Sequence, residues 1–350
     1  MRGRSPPGKV YQPGYGAAMD HVRLGRTGLK VSRLCLGTMT FGFQCDDETS
    51  FAIMDAAYDA GMTFFDTADV YPLGGPFEAV GRTEELIGEW MQRGDRRRED
   101  IVLATKCFGR SGPHAWDQGN SRKNVMRAID ASLRRLRTDY VDLYQIHFFD
   151  RSTPIDETLR AMDDLVRSGK VRYIGCSNTL AYQLARAIGR SELHGIARFD
   201  SVQPRYNLLF RENERELFPL CAEEQIAVIP YNPLAGGLLT GKHRPGAPTE
   251  GTRFTLGRAQ EMYRERYWQD QMFATIDDLR AIAEECGVPL TTLAVQWVLS
   301  NPVITSPIVG ASRPEQLAAS VAAAETALAD DVKQRLDELT AVYRQGDHDR

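Results

Sequence analysis

The 350-residue chain has six cysteines, at positions 35, 45, 107, 176, 221 and 286, but no C-x-x-C pair and no Cys/His cluster at metal-ligand spacing. Its cysteines therefore read as reduced thiols of a cytoplasmic protein, and neither a disulfide framework nor a metal site is expected. No apolar run approaches the ~20 residues that a membrane-spanning helix needs, and the N-terminus lacks the hydrophobic stretch of a secretory signal. No G-x-G-x-x-G follows an early strand, which argues against an open dinucleotide-binding sheet. Charge of one sign is not in excess: the formal net charge is -4, with acids and bases interspersed. Neither nucleic acid nor an anionic membrane is an expected partner. The clusters Arg96-Arg97-Arg98 and Arg134-Arg135 are short, lie among acids and read as solvated faces.

What the chain does have is a repeated alternation of short apolar runs and helical patterns. Strands are expected over 33–36, 63–66, 101–105, 141–146, 171–176, 201–203, 226–229 and 305–309. Helices are expected over 46–60, 83–92, 121–136, 154–168, 180–188, 213–224, 270–286, 290–300, 314–324 and 330–343, with a long irregular stretch from 242 to about 268. Residues 21–32 form two short alternating pieces around a Gly-rich turn, a hairpin expected to cap one end of the domain. Short apolar strands suit a parallel sheet covered on both faces, and eight βα units suit a closed (β/α)8 barrel with an N-terminal hairpin and extra C-terminal helices. Residues 1–19, rich in Gly, Pro and Arg, read as a disordered tail, and 20–345 as a single domain.

Several strands end in a polar group. Thr63-Phe64-Phe65 stops at Asp66, with Tyr71 five positions on; the run ending at Thr105 stops at Lys106; the run ending at Ile146 stops at His147. In a barrel, strand carboxyl ends form the floor of the active site. A phenol near its reference pKa of ~10 can protonate a carbonyl oxygen at neutral pH, and does so better with a cation beside it. Lys106 is the expected cation, Asp66 the carboxylate that positions it, and His147 a hydrogen-bond donor that orients the carbonyl. Taken singly, these residues are more simply a cap, a snorkelling lysine and a core histidine. Their placement at successive strand ends favours one site, whose missing electron donor a nicotinamide hydride would supply.

The runs Leu36-Gly37-Thr38-Met39, Phe65-Asp66-Thr67-Ala68-Asp69-Val70-Tyr71, Ala104-Thr105-Lys106, Asp139 to His147, Gly169 to Asn178 and Pro307 to Ser312 together resemble the aldo-keto reductase superfamily, over about 22–324. The resemblance implies a (β/α)8 barrel, NADPH as hydride donor, a small-molecule aldehyde or ketone as substrate, and the tetrad Asp66, Tyr71, Lys106 and His147 with Tyr71 as general acid. It also implies a cofactor groove. Gly37, Thr38 and Met39 would lie near the nicotinamide ribose; Ser177, Asn178 and Gln203 would bind the carboxamide, and Tyr231 would stack on the ring. The turn Asn232, Pro233, Leu234, Gly236, Leu238 would wrap the pyrophosphate, with Lys242 and Arg253 near the phosphates. Gly310, Ser312, Arg313 and Gln316 would surround the adenosine end, and the Arg313 guanidinium can grip the 2′-phosphate that NADH lacks. Ala319-Ser320 departs from the Glu-Asn often found there, which puts direct hydrogen bonding to adenine in question.

Phe41, Phe108, Trp116, Phe148, Phe149, Tyr206 and Trp268 are expected to line an apolar substrate pocket, and the insertion 72–81 after Tyr71 to shape one wall. The segment Asp150-Arg151-Ser152-Thr153-Pro154 is similar to the branch that reduces nucleotide-linked keto- or enoyl-deoxysugars. Gln44, Ser177, Gln203 and Lys242 also fit potassium-channel β subunits, a cofactor-binding class in which the histidine is often missing. Cys107, next to Lys106, is expected to point to the opposite face, toward the helices, as a core residue. Nothing in the pattern selects an oligomeric state.

Overall fold

The computed structural model describes residues 19–94 and 97–345; the expected N-terminal tail, apart from Met19, lies outside them. The strands are β1 (His21–Arg23), β2 (Lys30–Ser32), β3 (Cys35–Gly37), β4 (Phe64–Asp66), β5 (Val102–Cys107), β6 (Val141–Ile146), β7 (Val171–Ser177), β8 (Ser201–Gln203), β9 (Ala227–Val228) and β10 (Ile308–Val309). Strands β3 to β10 form an eight-stranded parallel sheet in the order β10-β3-β4-β5-β6-β7-β8-β9. Its two edges meet where Thr305 N donates to Val228 O (2.8 Å) and Ile308 N to Pro230 O (2.8 Å), closing the ring. This is the expected (β/α)8 barrel.

Alternation along each strand sorts the side chains into two layers. Cys35, Phe64, Ala104, Leu143, Ala227 and Ile308 fill the interior together with Leu24 and Val31 of the hairpin. Leu36, Phe65, Leu103, Cys107, Tyr144, Ile174, Cys176 and Val202 face outward and pack with the helices in the main core. Cys107 therefore points toward the helices as expected, and burial raises its thiol to about 12. The hairpin β1–β2 plugs one end of the barrel. Gly25 makes this seat possible: at φ +55° it lies so close to β9 that a Cβ would come within 2.5 Å of Gln225 O.

The helices form close to their expected positions. Asp46 caps Asp47–Asp59 by accepting from Thr49 N at 2.8 Å. The expected helix over 180–188 runs further, as Ala181–His194, and stops only where Gly195 turns left-handed. The expected helix over 213–224 divides into a 3₁₀ turn, Glu212–Glu214, and the α-helix Leu217–Glu224. The stretch 242–268 is not wholly irregular, because it contains the helix Gln260–Tyr267. It crosses the open end of the barrel as a strap: Gln44 Nε2 donates to Gly251 O at 3.3 Å and Arg258 N to Gly74 O at 3.3 Å. Among the described residues no helix is long and apolar enough to cross a membrane.

Candidate active site

Asp66, Lys106, Gln145 and Gln203 stand on the interior face at the carboxyl ends of β4, β5, β6 and β8. Lys106 is fully buried, and its Nζ donates to Asp66 Oδ2 at 2.6 Å and to Thr67 O at 2.8 Å. The other carboxylate oxygen of Asp66 accepts from Gln203 Nε2 (2.8 Å) and Gln145 Nε2 (3.2 Å). Burial, the largest single influence, would lower the Lys106 ammonium, but the Asp66 charge, Tyr71 and the hydrogen bond to Asp66 together outweigh it, so the net shift is upward.

Tyr71 lies over this pair, with Lys106 Nζ 5.1 Å from its ring centroid. Burial raises the phenol, and Lys106 is the principal influence opposing that rise. The His147 ring packs edge-on to Tyr71, with centroids 5.8 Å apart, and its backbone is pinned by His147 N donating to Cys107 O (2.9 Å) and Asn178 Nδ2 donating to His147 O (2.9 Å). Burial, reinforced by the Lys106 charge, holds the imidazole well below its ordinary value, so it is neutral at pH 7. The four residues read as a tetrad from the sequence thus converge: one phenol, one cation facing its ring, one carboxylate and one neutral imidazole.

Beside them lies a second set of polar residues. Ser177 Oγ donates to Gln203 O (2.8 Å), Asn178 Nδ2 to Ser177 Oγ (3.0 Å), and Tyr231 OH to Asn178 Oδ1 (2.8 Å). Thr38 Oγ1 is turned onto Asp66 O (2.9 Å), while Met39 remains half-buried. Gly310, directly after β10, approaches Gly37 at the end of β3; a Cβ on Gly310 would sit 3.3 Å from Gly37 O. Past Tyr231, the turn through Pro233 and Leu234 takes positive φ at Asn232, Ala235, Gly236 and Gly237, then buries Leu238. Asn232 Nδ2 is buried without a partner, although Arg253 donates to its Oδ1 at 3.3 Å. Lys242 is lowered by desolvation and by the neighbouring Arg313 and Arg253 charges, so three cations crowd together. Such crowding suits a polyanion, and the unpaired Asn232 amide and the glycine-opened turn fit its phosphates. Ser312 N (2.8 Å) and Oγ (3.2 Å) donate to Gln316 Oε1, and Arg313 is exposed. The helix expected directly after Arg313 opens as a 3₁₀ turn, Pro314–Leu317, before the α-helix Ala318–Glu325.

The comparisons with known proteins follow the same outline. The model of the aldo/keto reductase family matches residues 33–341. The chain belongs to the aldo/keto reductase family. It is 40% identical to the uncharacterized oxidoreductase YrpG of Bacillus subtilis, over 92% of this chain and 96% of the relative. It is 39% identical to a probable voltage-gated potassium channel subunit beta of Arabidopsis thaliana (85% of this chain, 89% of the relative). It is 35% identical to a putative aryl-alcohol dehydrogenase of Schizosaccharomyces pombe (90% and 94%).

In this aldo/keto reductase the expected pocket aromatics divide. Phe108 and Phe148 pack together beside His147, with centroids 5.5 Å apart and 5.2 Å from Phe148 to His147, and Phe148 is 44% exposed. Trp116 is 46% exposed and stacks on His114. Phe41 and Tyr206, by contrast, are buried in the main core, because short strands and their first turns need large side chains to fill the layer behind them. Trp268 packs with His243, Phe254 and Phe273 and donates from Nε1 to Gly246 O (2.8 Å), which fastens the strap. Asp150 is consumed in its own turn, accepting from Asn120 N, Ser152 and Thr153. Gln145 is a member of the site beyond the expected set. Its signal was available: a polar residue on the interior face of an apolar strand, two positions before His147.

Proposed function

We propose that the protein is an NADPH-dependent carbonyl reductase, converting an aldehyde or ketone to an alcohol. The observation that carries this reading is the buried Lys106–Asp66 ion pair lying against the Tyr71 ring, with a neutral His147 across from it. Ser177, Asn178, Gln203 and Tyr231 would hold the nicotinamide end of NADPH, the turn from Asn232 the pyrophosphate, and Lys242, Arg253 and Arg313 the phosphates. Bound there, the cofactor supplies the hydride.

The chain's own residues supply the proton. Tyr71 donates it from its hydroxyl to the carbonyl oxygen, and the Lys106 ammonium stabilises the phenolate left behind. Asp66, held by three donors, keeps that ammonium charged and in place. His147 donates a hydrogen bond to the same oxygen, which as a neutral ring it does without competing for the Tyr71 proton. Phe108, Trp116 and Phe148 form the apolar wall against which the rest of the substrate lies.

Oxidation of NADPH, followed across simple aldehydes, α-diketones and keto-sugars, tests the reading. Turnover with at least one carbonyl, faster with NADPH than with NADH, is the expected result. Failure with every carbonyl would remove it.

A further inference from the structure

Arginines that are partly or wholly buried in this fold have partners. Arg98 pairs with Asp142, Arg198 with Glu224, Arg211 with Glu214 and Arg135 with Glu84; Arg33 donates to the carbonyls of Leu299, Ile304 and Thr305. This follows from the cost of taking a cation out of water without compensation. Among the described residues, Arg205 and Arg266 break the rule: both are partly buried, and neither guanidinium makes a hydrogen bond or an ion pair.

Their place is specific. Beyond β8 the chain continues in strand-like register, with Arg205 opposite Tyr231, Tyr231 N donating to Pro204 O and Tyr206 N to Tyr231 O. Alternation then puts Arg205 on the same face as Gln203, which touches Asp66, but about 7 Å further out along the strand. The Arg205 guanidinium carbon lies over the Phe210 ring, 3.5 Å from its centroid, and 5.9 Å from the centroid of the Tyr267 ring. Arg266 comes from the strap helix Gln260–Tyr267, directly before the Tyr267 whose ring faces the Arg205 guanidinium. Arg266 and Arg205 are the cations that act on the Tyr231 phenol, opposing the rise that burial imposes on it. The cations assigned to the cofactor phosphates, Lys242, Arg253 and Arg313, form a separate group that acts on Lys242.

We propose that Arg205 and Arg266 form an anion-binding subsite at the mouth of the barrel, so that the substrate is a carbonyl compound bearing a carboxylate. The inference deepens the carbonyl-reductase reading and rests on it. A planar guanidinium already immobilised on an aromatic ring loses little freedom when it meets a carboxylate, and its low hydration makes the exchange favourable. The partly dry setting strengthens the attraction relative to a surface pair.

The test compares 4-carboxybenzaldehyde with its methyl ester, which has the same ring and aldehyde but no charge. The wild-type enzyme is expected to favour the acid in kcat/KM by about tenfold at low salt. Arg205→Gln and Arg266→Gln should each reduce that preference and together abolish it, with kcat/KM for the ester and KM for NADPH unchanged. Equal use of acid and ester by the wild type overturns the proposal. So does a preference that survives in the double variant, or variants that raise the KM for NADPH while leaving the preference intact. Arg266→Gln, at a half-exposed helix position, guards against loss of fold in the Arg205 variant, and thermal melts report it. If no aldehyde is reduced, the reductase reading fails on its own; calorimetric binding of terephthalate against its dimethyl ester, in wild type and double variant, still decides the subsite. Equal binding of the two refutes it.

Discussion

Lys106 Nζ lies 2.6 Å from Asp66 Oδ2 with the lysine side chain wholly removed from solvent and the aspartate nearly so. A cation this deep survives because its counter-ion is itself held by Gln203 and Gln145, so that no lone charge faces the apolar barrel interior. Removing one partner is therefore worse than removing both. Lys106→Met should destabilise the fold by roughly 3–5 kcal/mol, and Asp66→Leu added to it should restore much of that loss. Urea unfolding of the two single variants and the double variant measures the cycle; additive losses would contradict the pairing.

Tyr71→Phe removes the proposed proton donor and little else, since the ring contacts with His147 and Lys106 persist. Turnover should fall by about 10²- to 10⁴-fold or more, the range that a positioned acid contributes, while NADPH still quenches protein fluorescence with unchanged affinity. An active variant would assign the proton to another group.

Arg313 is exposed and adds its positive charge to the group at Lys242. Arg313→Gln should raise the KM for NADPH and leave that for NADH alone, lowering the preference between them by roughly tenfold or more, as loss of a charged hydrogen bond implies. Equal effects on both cofactors would detach Arg313 from the 2′-phosphate.

Two histidines should make the fold sensitive to acid. His243 is buried against Phe254 and Trp268 with both ring nitrogens unpaired, and burial, aided by the Lys242 charge, lowers it to about 4 from 6.5; His147 is lowered as well. Below pH 6.5 the unfolded chain takes up protons that the folded one refuses. The stability they contribute is complete above that pH and is lost as pH falls, for His243 through about 4, at up to ~1.4 kcal/mol per pH unit for each ring. His243→Phe, which suits the aromatic nest, should flatten the slope between pH 6.5 and 4.5 in denaturant titrations. The same slope in both proteins would place the ring in water.

Asp69 should act in the opposite sense. It is buried, both its oxygens lack partners, and burial followed by the Glu84 charge raises it well above the usual carboxylate range. Its neutral form is favoured in the fold, a contribution complete below about 3.8 and lost as pH rises through the folded value. Asp69→Asn, neutral throughout, should therefore be more stable than the wild type at pH 8 by on the order of 1 kcal/mol, with the gap closing as pH falls. A variant weaker at pH 8 would mean that the carboxylate has an ionic role.

The sequence by itself determined the barrel and pointed to the four groups proposed to carry the reaction. Its strands are short and apolar, and period-two alternation decides which residue of Lys106-Cys107 faces the interior without reference to any partner. Asp66, Lys106 and His147 were legible because each sits where an apolar run ends. The helix Gln260–Tyr267 was not, because it buries only Tyr263 and Tyr267, too narrow a stripe to register as a helical period. Nor was the inward burial of Phe41, since an aromatic after a strand end suits a pocket or a core equally well until neighbours are known.

Tertiary structure alone decided the state of the site. Gln145 and Gln203 reach Asp66 from 79 and 137 residues away, and no local pattern encodes contacts of that span. The neutrality of His147 and the charge of Lys106 are likewise properties of the assembled interior. Desolvation and ion pairing depend on what surrounds a group in space, and the fold brings those surroundings together only when the barrel closes.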